Sequence, residues 1–288
     1  MKSRYLASII LFLCLCCTLT SKAQETDQAD SVSSSRGGNE FSWDISITID
    51  MVYESTFIIG TEKKVALDFL ELDLLIDVYY RGFFFQSNKH RYNRYDERVE
   101  IGYELAVNEN YEIDLISKIY LTGFSASGLF DNGEPIEELA GINPREYLSS
   151  QGIRYRRYLP NAVYWVDVAT NLFSNVHDGW VIDGFYSYIL QRRNWDINLG
   201  AGASFFSNEM NNYYFSVQPE EATSSRPVYQ AGAGYRLQVE AFVQHPLSEA
   251  WLFTGGVTLS HYSNSISDSP LVVRDNIIRA QVGVRYVF

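Results

Sequence analysis

Cysteine is nearly absent from this 288-residue chain, and its three copies, Cys14, Cys16 and Cys17, fall together near the N-terminus. The segment around them reads as a secretory signal peptide over residues 1–23. Lys2 and Arg4 form a charged start, Leu6 to Leu19 an apolar run, and Ser21-Lys22-Ala23 a small-residue cleavage site. A mature chain starting near Gln24 has no cysteine, which excludes a disulfide, a thiolate nucleophile and a cysteine metal site. A lipoprotein is the competing reading. Against it, Cys14 and Cys16 each follow a leucine where lipid-modification sites want a small residue, and Cys17 lacks a leucine three positions earlier.

Positive charge is also scarce. The chain has 23 basic against 35 acidic residues, a net charge of −12; loss of Lys2, Arg4 and Lys22 leaves 20 against 35, or −15. Nucleic acid is therefore not an expected partner, because its binding needs basic patches. Beyond the signal, no stretch approaches the roughly 20 apolar residues of a membrane helix. His90, His177 and His245 are scattered without metal-ligand spacing. Gly200-x-Gly202 lies inside a strand pattern and not between a strand and a helix, so no phosphate loop is expected. Neither a cofactor nor a metal is implied.

What the chain does have is alternation, and many aromatic residues, with 21 Tyr and 17 Phe. Residues 24–40 are polar, Ser/Gly-rich and without period, as expected of a disordered periplasmic lead-in. From Phe41 onward apolar and polar positions alternate in segment after segment. Trp43, Ile45, Ile47 and Ile49 interleave with Asp44, Ser46, Thr48 and Asp50. Later segments include Leu70 to Val78, Val99 to Leu105, Tyr111 to Leu121, Trp195 to Phe205 and Ile278 to Phe288. About twelve strands of the 9–11 residues a tilted membrane strand requires can be counted. All seven prolines fall in the expected loops or turns.

Connection lengths alternate too. Tyr80–Gly82, Asn108–Asn110, Leu159–Asn161, Gln191–Asn194 and His245–Ala250 are short, and most of the intervening connections are long. An even strand count with this phase predicts an all-β, transmembrane antiparallel β-barrel over residues 41–288. Short turns and both termini are expected in the periplasm, long loops outside. The terminal strand, apolar on one face and ending on Phe288, resembles the closing strand of bacterial outer-membrane barrels. The expected location is the outer membrane of a Gram-negative cell, with its lipid as a partner.

On that reading the opposite strand faces line a lumen rich in acids (among them Asp44, Asp50, Glu71, Glu100, Glu112, Asp114, Asp167 and Asp183). The basic set is Lys118, Arg154, Arg156, Arg236, Arg279 and Arg285. Closure sets the last strand beside the first, so Arg279 and Arg285 are expected to pair with Asp44 and Asp50. Paired lumen charges avoid unsatisfied buried charge, whereas an unpaired acidic excess would suit a cation-favouring pore.

One constellation has catalytic residue types. His261-Tyr262-Ser263 resembles the His-x-Ser pair of outer-membrane lipid A deacylases, with Asp275 downstream as an acidic third member. The competing reading is a histidine and a serine at the headgroup level of a strand end.

Asn211 to Ala222 is too aromatic for a solvated linker. It carries Tyr214-Phe215-x-Val217-x-Pro219, followed by Tyr229-x-x-Gly232-x-Gly234, and the last loop carries Asp268-Ser269-Pro270-Leu271-Val272. In these stretches, and more loosely in Tyr80 to Phe84 and His177 to Trp180, the chain resembles the MipA/OmpV family. The large loop Gly123 to Glu146 departs from that pattern. The resemblance implies a non-enzymatic outer-membrane protein that acts as a scaffold between a periplasmic murein transglycosylase and a peptidoglycan synthase. A passive pore is the alternative, and a lipid A hydrolase using His261 and Ser263 the second alternative.

Overall fold

Each alternating segment becomes a strand, because a period of two places one apolar and one polar face on a pleated backbone. A computed structural model describes residues 41–62, 66–87, 99–127 and 135–288. The signal-like segment and the lead-in, residues 1–40, lie outside these described residues.

Twelve antiparallel strands run in chain order: β1 (Ser42–Glu54), β2 (Leu70–Tyr80), β3 (Phe83–Ser87), β4 (Val99–Val107), β5 (Tyr111–Ile119), β6 (Ser149–Leu159), β7 (Ala162–Thr170), β8 (Trp180–Arg192), β9 (Trp195–Phe206), β10 (Gly234–Pro246), β11 (Trp251–Tyr262) and β12 (Asn276–Val287). Each pairs with its neighbours in sequence, and β12 returns to β1, so the sheet closes into a barrel. The closing register sets Thr48 against Arg285, Asp50 against Gly283 and Glu54 against Arg279.

Closure satisfies every ladder without an edge, the condition for crossing a membrane with strands. Among the described residues no helix is long and apolar enough to cross instead. Outward positions carry exposed apolar side chains, including Met51, Leu72, Ile101, Val168, Leu237 and Val282. Inward positions carry buried polar ones, including Glu100, Asp114, Lys118, Arg154, Asp167, Asp183 and Arg236. That inversion of a soluble protein's pattern makes lipid the natural solvent of the outer face.

Short connections gather at one end, the turn end, where Phe288 N–H also bonds the Ile45 carbonyl near the start of β1. Two of these turns need the left-handed backbone: Arg81 and Gly82 between β2 and β3, and Arg193 between β8 and β9. The long connections share the opposite, loop end. Strand bounds run slightly past the alternating segments. β10 extends to Pro246, so this proline ends a strand where the sequence suggests a turn. As the last strand residue it interrupts no interior ladder.

The aromatic loop after β9 holds an α-helix, α1 (Asn208–Phe215), and the loop after β11 a short one, α2 (Asn264–Ser267). Ser207 caps α1, its hydroxyl accepting from the Met210 N–H. Met210 and Tyr214, one turn apart, share its buried face with Phe215. The sequence expectation for this segment is loop alone; the serine cap and the Met210–Tyr214 spacing were the available signals.

Candidate functional site: a capped and charge-crossed lumen

The main apolar core lies at the loop end. It joins Phe57 and Ile58 from the β1–β2 connection, Tyr120, Leu121, Phe124, Leu139 and Ile142 from β5–β6, and Met210, Tyr214, Phe215 and Val217 from β9–β10. Ile266, Leu271 and Val272 come from β11–β12. Inward residues at the strand ends, Ala169, Val181, Phe206, Tyr262 and Ile277, belong to the same core. These loops rise from opposite sides of the ring yet touch one another, so the core sits in the mouth of the barrel as a cap.

Polar contacts fix the cap in one arrangement. Arg145 grips Glu221 with two parallel bonds of 3.0 and 2.9 Å, and also donates to the Ser216 carbonyl. Backbone amides of Asn143 and Gln218 donate to the same carboxylate. Burial alone would raise the Glu221 carboxyl, but these hydrogen bonds and the Arg145 charge hold it below its ordinary value of 4.5. Arg226 ties the loops again, donating to the carbonyls of Glu138, Ala140 and Glu221. The family-like residues meet here. Ser269 donates to the Phe215 carbonyl at 2.6 Å, Val217 bridges to Tyr229, and Pro219 opens the turn that delivers Glu221. Asp268 closes α2, and Pro270 follows between Ser269 and Leu271.

Below the cap the lumen is crossed by ion pairs. Arg154 on β6 bonds Glu100 on β4 and, bidentately, Asp167 on β7 at 2.7 and 2.9 Å. Gln86 also donates to Glu100, and Tyr120 donates to Asp167 at 2.9 Å. Lys118 lies 3.6 Å from Asp183, which accepts from Ser204; Ser204 in turn accepts from Arg236. Arg156 and Tyr158 both donate to Glu112. Toward the turn end the lumen becomes aromatic, with Trp165 and Phe185 packed at a 4.9 Å ring distance. Gly200 leaves room there, since a Cβ at that position would meet the Phe185 ring and the Glu240 side chain.

Of the expected closing-strand pairs, Arg279 does meet the first strand, but at Glu54 (2.8 Å), and it holds Glu71 of β2 at 2.7 Å as well. The register sets Asp50 four positions away, opposite Gly283, where it accepts from Thr254 at 3.1 Å. Glu54 escaped the sequence reading because Tyr53 and Glu54 read as loop; β1 extends through both. Arg285 is buried opposite Thr48, two positions from Asp50 on the inward face, while Asp44 lies near the turn end opposite Asp77.

His261 and Ser263 are not brought together. The His261 ring faces outward, its Nδ1 3.1 Å from the Asn276 side chain and 3.8 Å from Asp275. Ser263 stands at the N-cap position of α2 without a capping side-chain bond; its hydroxyl accepts from the Tyr235 N–H at 3.0 Å and shares a hydrogen bond with Ser265.

An apolar belt outside, ion pairs inside and a closed antiparallel ring define an outer-membrane β-barrel. The chain belongs to the MltA-interacting protein MipA family, whose model matches residues 36–288. Two relatives are the outer membrane protein OmpV of Vibrio cholerae (28% identical over 170 residues) and the outer membrane protein Omp26La of Vibrio anguillarum (26% over 170). Each match covers 51% of this chain and 66% of the relative, just under two thirds of its length. Similar solved structures include OmpT of Vibrio cholerae, at 7% identity and TM-score 0.37 over 86% of this chain and 99% of that one. The channel DcaP of Acinetobacter baumannii gives 8% and 0.38 over 88% and 98%.

Proposed function

We propose that this barrel is a non-enzymatic interaction protein of the outer membrane, docking murein-cleaving and peptidoglycan-synthesising enzymes on its periplasmic side. The observation that carries the reading is the cap. A mouth filled by a hydrophobic core, above a lumen crossed by ion pairs, is built for rigidity and not for flow. Contact with other molecules is then left to the rims. With long loops outside, the turn end faces the periplasm, where short turns offer little area; a standard interface buries roughly 800 Å² per partner. The docking surface is therefore the whole rim together with residues 24–40.

Co-purification tests this. Full-length protein should retain a murein transglycosylase and a peptidoglycan synthase. Deletion of residues 24–40 combined with charge reversal at the rim residues Arg81 and Arg193 should release them. Retention by that variant would overturn the reading. Solute passage is the second reading, favoured by the excess of acids over bases among the inward side chains; steady conductance of the intact protein in planar bilayers would support it.

A further inference from the structure

A separate cavity of about 450 Å³ opens in the cap, between the 143–145 segment, residues 176–178 and the first turns of α1. We propose that it is a saccharide-binding site, taking an uncharged pyranose unit by its hydroxyls. The volume lies in the range of small-ligand sites and suits one or two sugar rings.

The lining matches that chemistry. Asn143, Asn208, Asn212 and Gln218 supply planar amides, each offering donors and an acceptor on one edge. Asp178 and Glu209 supply exposed carboxylates, the acceptors that vicinal hydroxyls pair with. Glu209 stays ionised, because the backbone amide at the start of α1 and the Ser207 hydroxyl hold its carboxyl below the usual range. Tyr213 adds an apolar ring face against which the C–H side of a pyranose can lie. Among the described residues the one lining cation, Arg145, is already neutralised by Glu221, so the cavity has an acidic balance and disfavours anions.

Two buried side chains stand behind the cavity wall. His177 accepts from the Gly179 N–H at Nδ1, so its neutral ring carries the proton on Nε2. That Nε2–H makes no hydrogen bond among the described residues, and neither does the Arg145 Nε–H; both side chains are more than nine-tenths buried. Neither atom reaches the cavity surface, so contact with a sugar falls to the exposed amides and carboxylates. The walls are also held in place beforehand. The His177 ring packs 5.3 Å from that of Tyr213, Arg145 lies 5.9 Å from the same ring, and the Glu146 N–H donates to the Tyr213 hydroxyl.

Saturation-transfer NMR on the full chain in detergent tests the site, with N-acetylglucosamine, galactose and maltose as free probes and neutral, dephosphorylated outer-core oligosaccharide released from lipopolysaccharide as a second arm. Saturation of ring protons at about millimolar affinity is expected in at least one arm. Signal from the free sugars marks a soluble ligand, and signal from the core oligosaccharide alone marks the cell's own surface. Glu209→Gln with Asp178→Asn changes exposed side chains only and should weaken binding at least tenfold while the folded barrel keeps its migration in unheated gels. Binding to neither arm, or undiminished binding by that variant, would overturn the proposal.

Discussion

Arg145 and Glu221, 76 residues apart in sequence, form a buried bidentate pair that links the β5–β6 loop to the β9–β10 loop across the barrel mouth. Both side chains are buried, Glu221 completely. Removal of one leaves an uncompensated buried charge, which typically costs about 3–5 kcal/mol. Glu221→Ala should therefore loosen the cap and leave the strand ladder intact. Trypsin should then cut at Arg226 under conditions where the native chain resists, with the barrel core surviving. Unchanged resistance would count against the pair as the clasp.

Acid should loosen the same region. Glu221 has a lowered folded pKa, so its contribution is complete above its unfolded value of 4.5 and is lost as pH falls through the lower folded one. His177 is pushed below 6.5 by burial, with Asp178 pulling the other way. It is held neutral, and its contribution begins to fade as pH drops below 6.5. The protection of α1 amides against hydrogen exchange, relative to intrinsic rates at each pH, should fall in two stages, first below about 6.5 and then below about 4.5. His177→Gln should abolish the first stage alone.

Excision of the cap should open the barrel. Replacement of residues 208–231 by a short Gly/Ser link removes α1 and the Glu221 clasp and leaves a lumen in which acids outnumber bases. Planar bilayers should show a steady conductance favouring cations that the intact chain lacks. Silence from the excised variant would mean that the ion pairs beneath are sufficient to block passage.

Gly200 should be intolerant of a side chain, with the Phe185 ring the nearest obstacle and the Glu240 side chain the next. A Cβ there would collide with the Phe185 ring, and overpacking of this kind costs about 1–3 kcal/mol. Gly200→Ala should lower the unfolding temperature in detergent, and Phe185→Leu in the same chain should restore part of it. An additive double variant would show that the ring is not the obstacle.

Ser263→Ala should leave lipid A acylation unchanged by mass spectrometry, since the Ser263 hydroxyl serves the Tyr235 amide and Ser265 while His261 turns to Asn276. An acyl-chain difference between wild type and variant would reinstate the His261–Ser263 pair.

Period-two patterning made the barrel readable from the chain, because a strand with lipid on one side and charges on the other must alternate at every residue. Turn chemistry at Asn108 to Asn110 and the long-short rhythm of connections set the strand phase. The cap was much less legible. Its residues come from four loops, and nothing local in Arg145 announces a partner at Glu221. What was visible was the aromatic excess of residues 211–215, and its cause is the burial of one face of α1. Arg279 shows the same limit at finer scale. Its pairing with the first strand follows from closure, but the choice of Glu54 depends on β1 running two residues beyond where its alternation can be recognised.

Arg279 sits on the last strand of the chain, with carboxylates from the first and second strands bound to its guanidinium. Hydrophobic alternation forbids a slip of one residue at that seam but is indifferent to a slip of two, which keeps every side chain on its proper face. A two-residue slip would carry Arg279 about 7 Å along the strand, away from both acids. The seam is thereby proofread by charge: the chain can close in several registers that lipid would accept, and in one that Arg279 will.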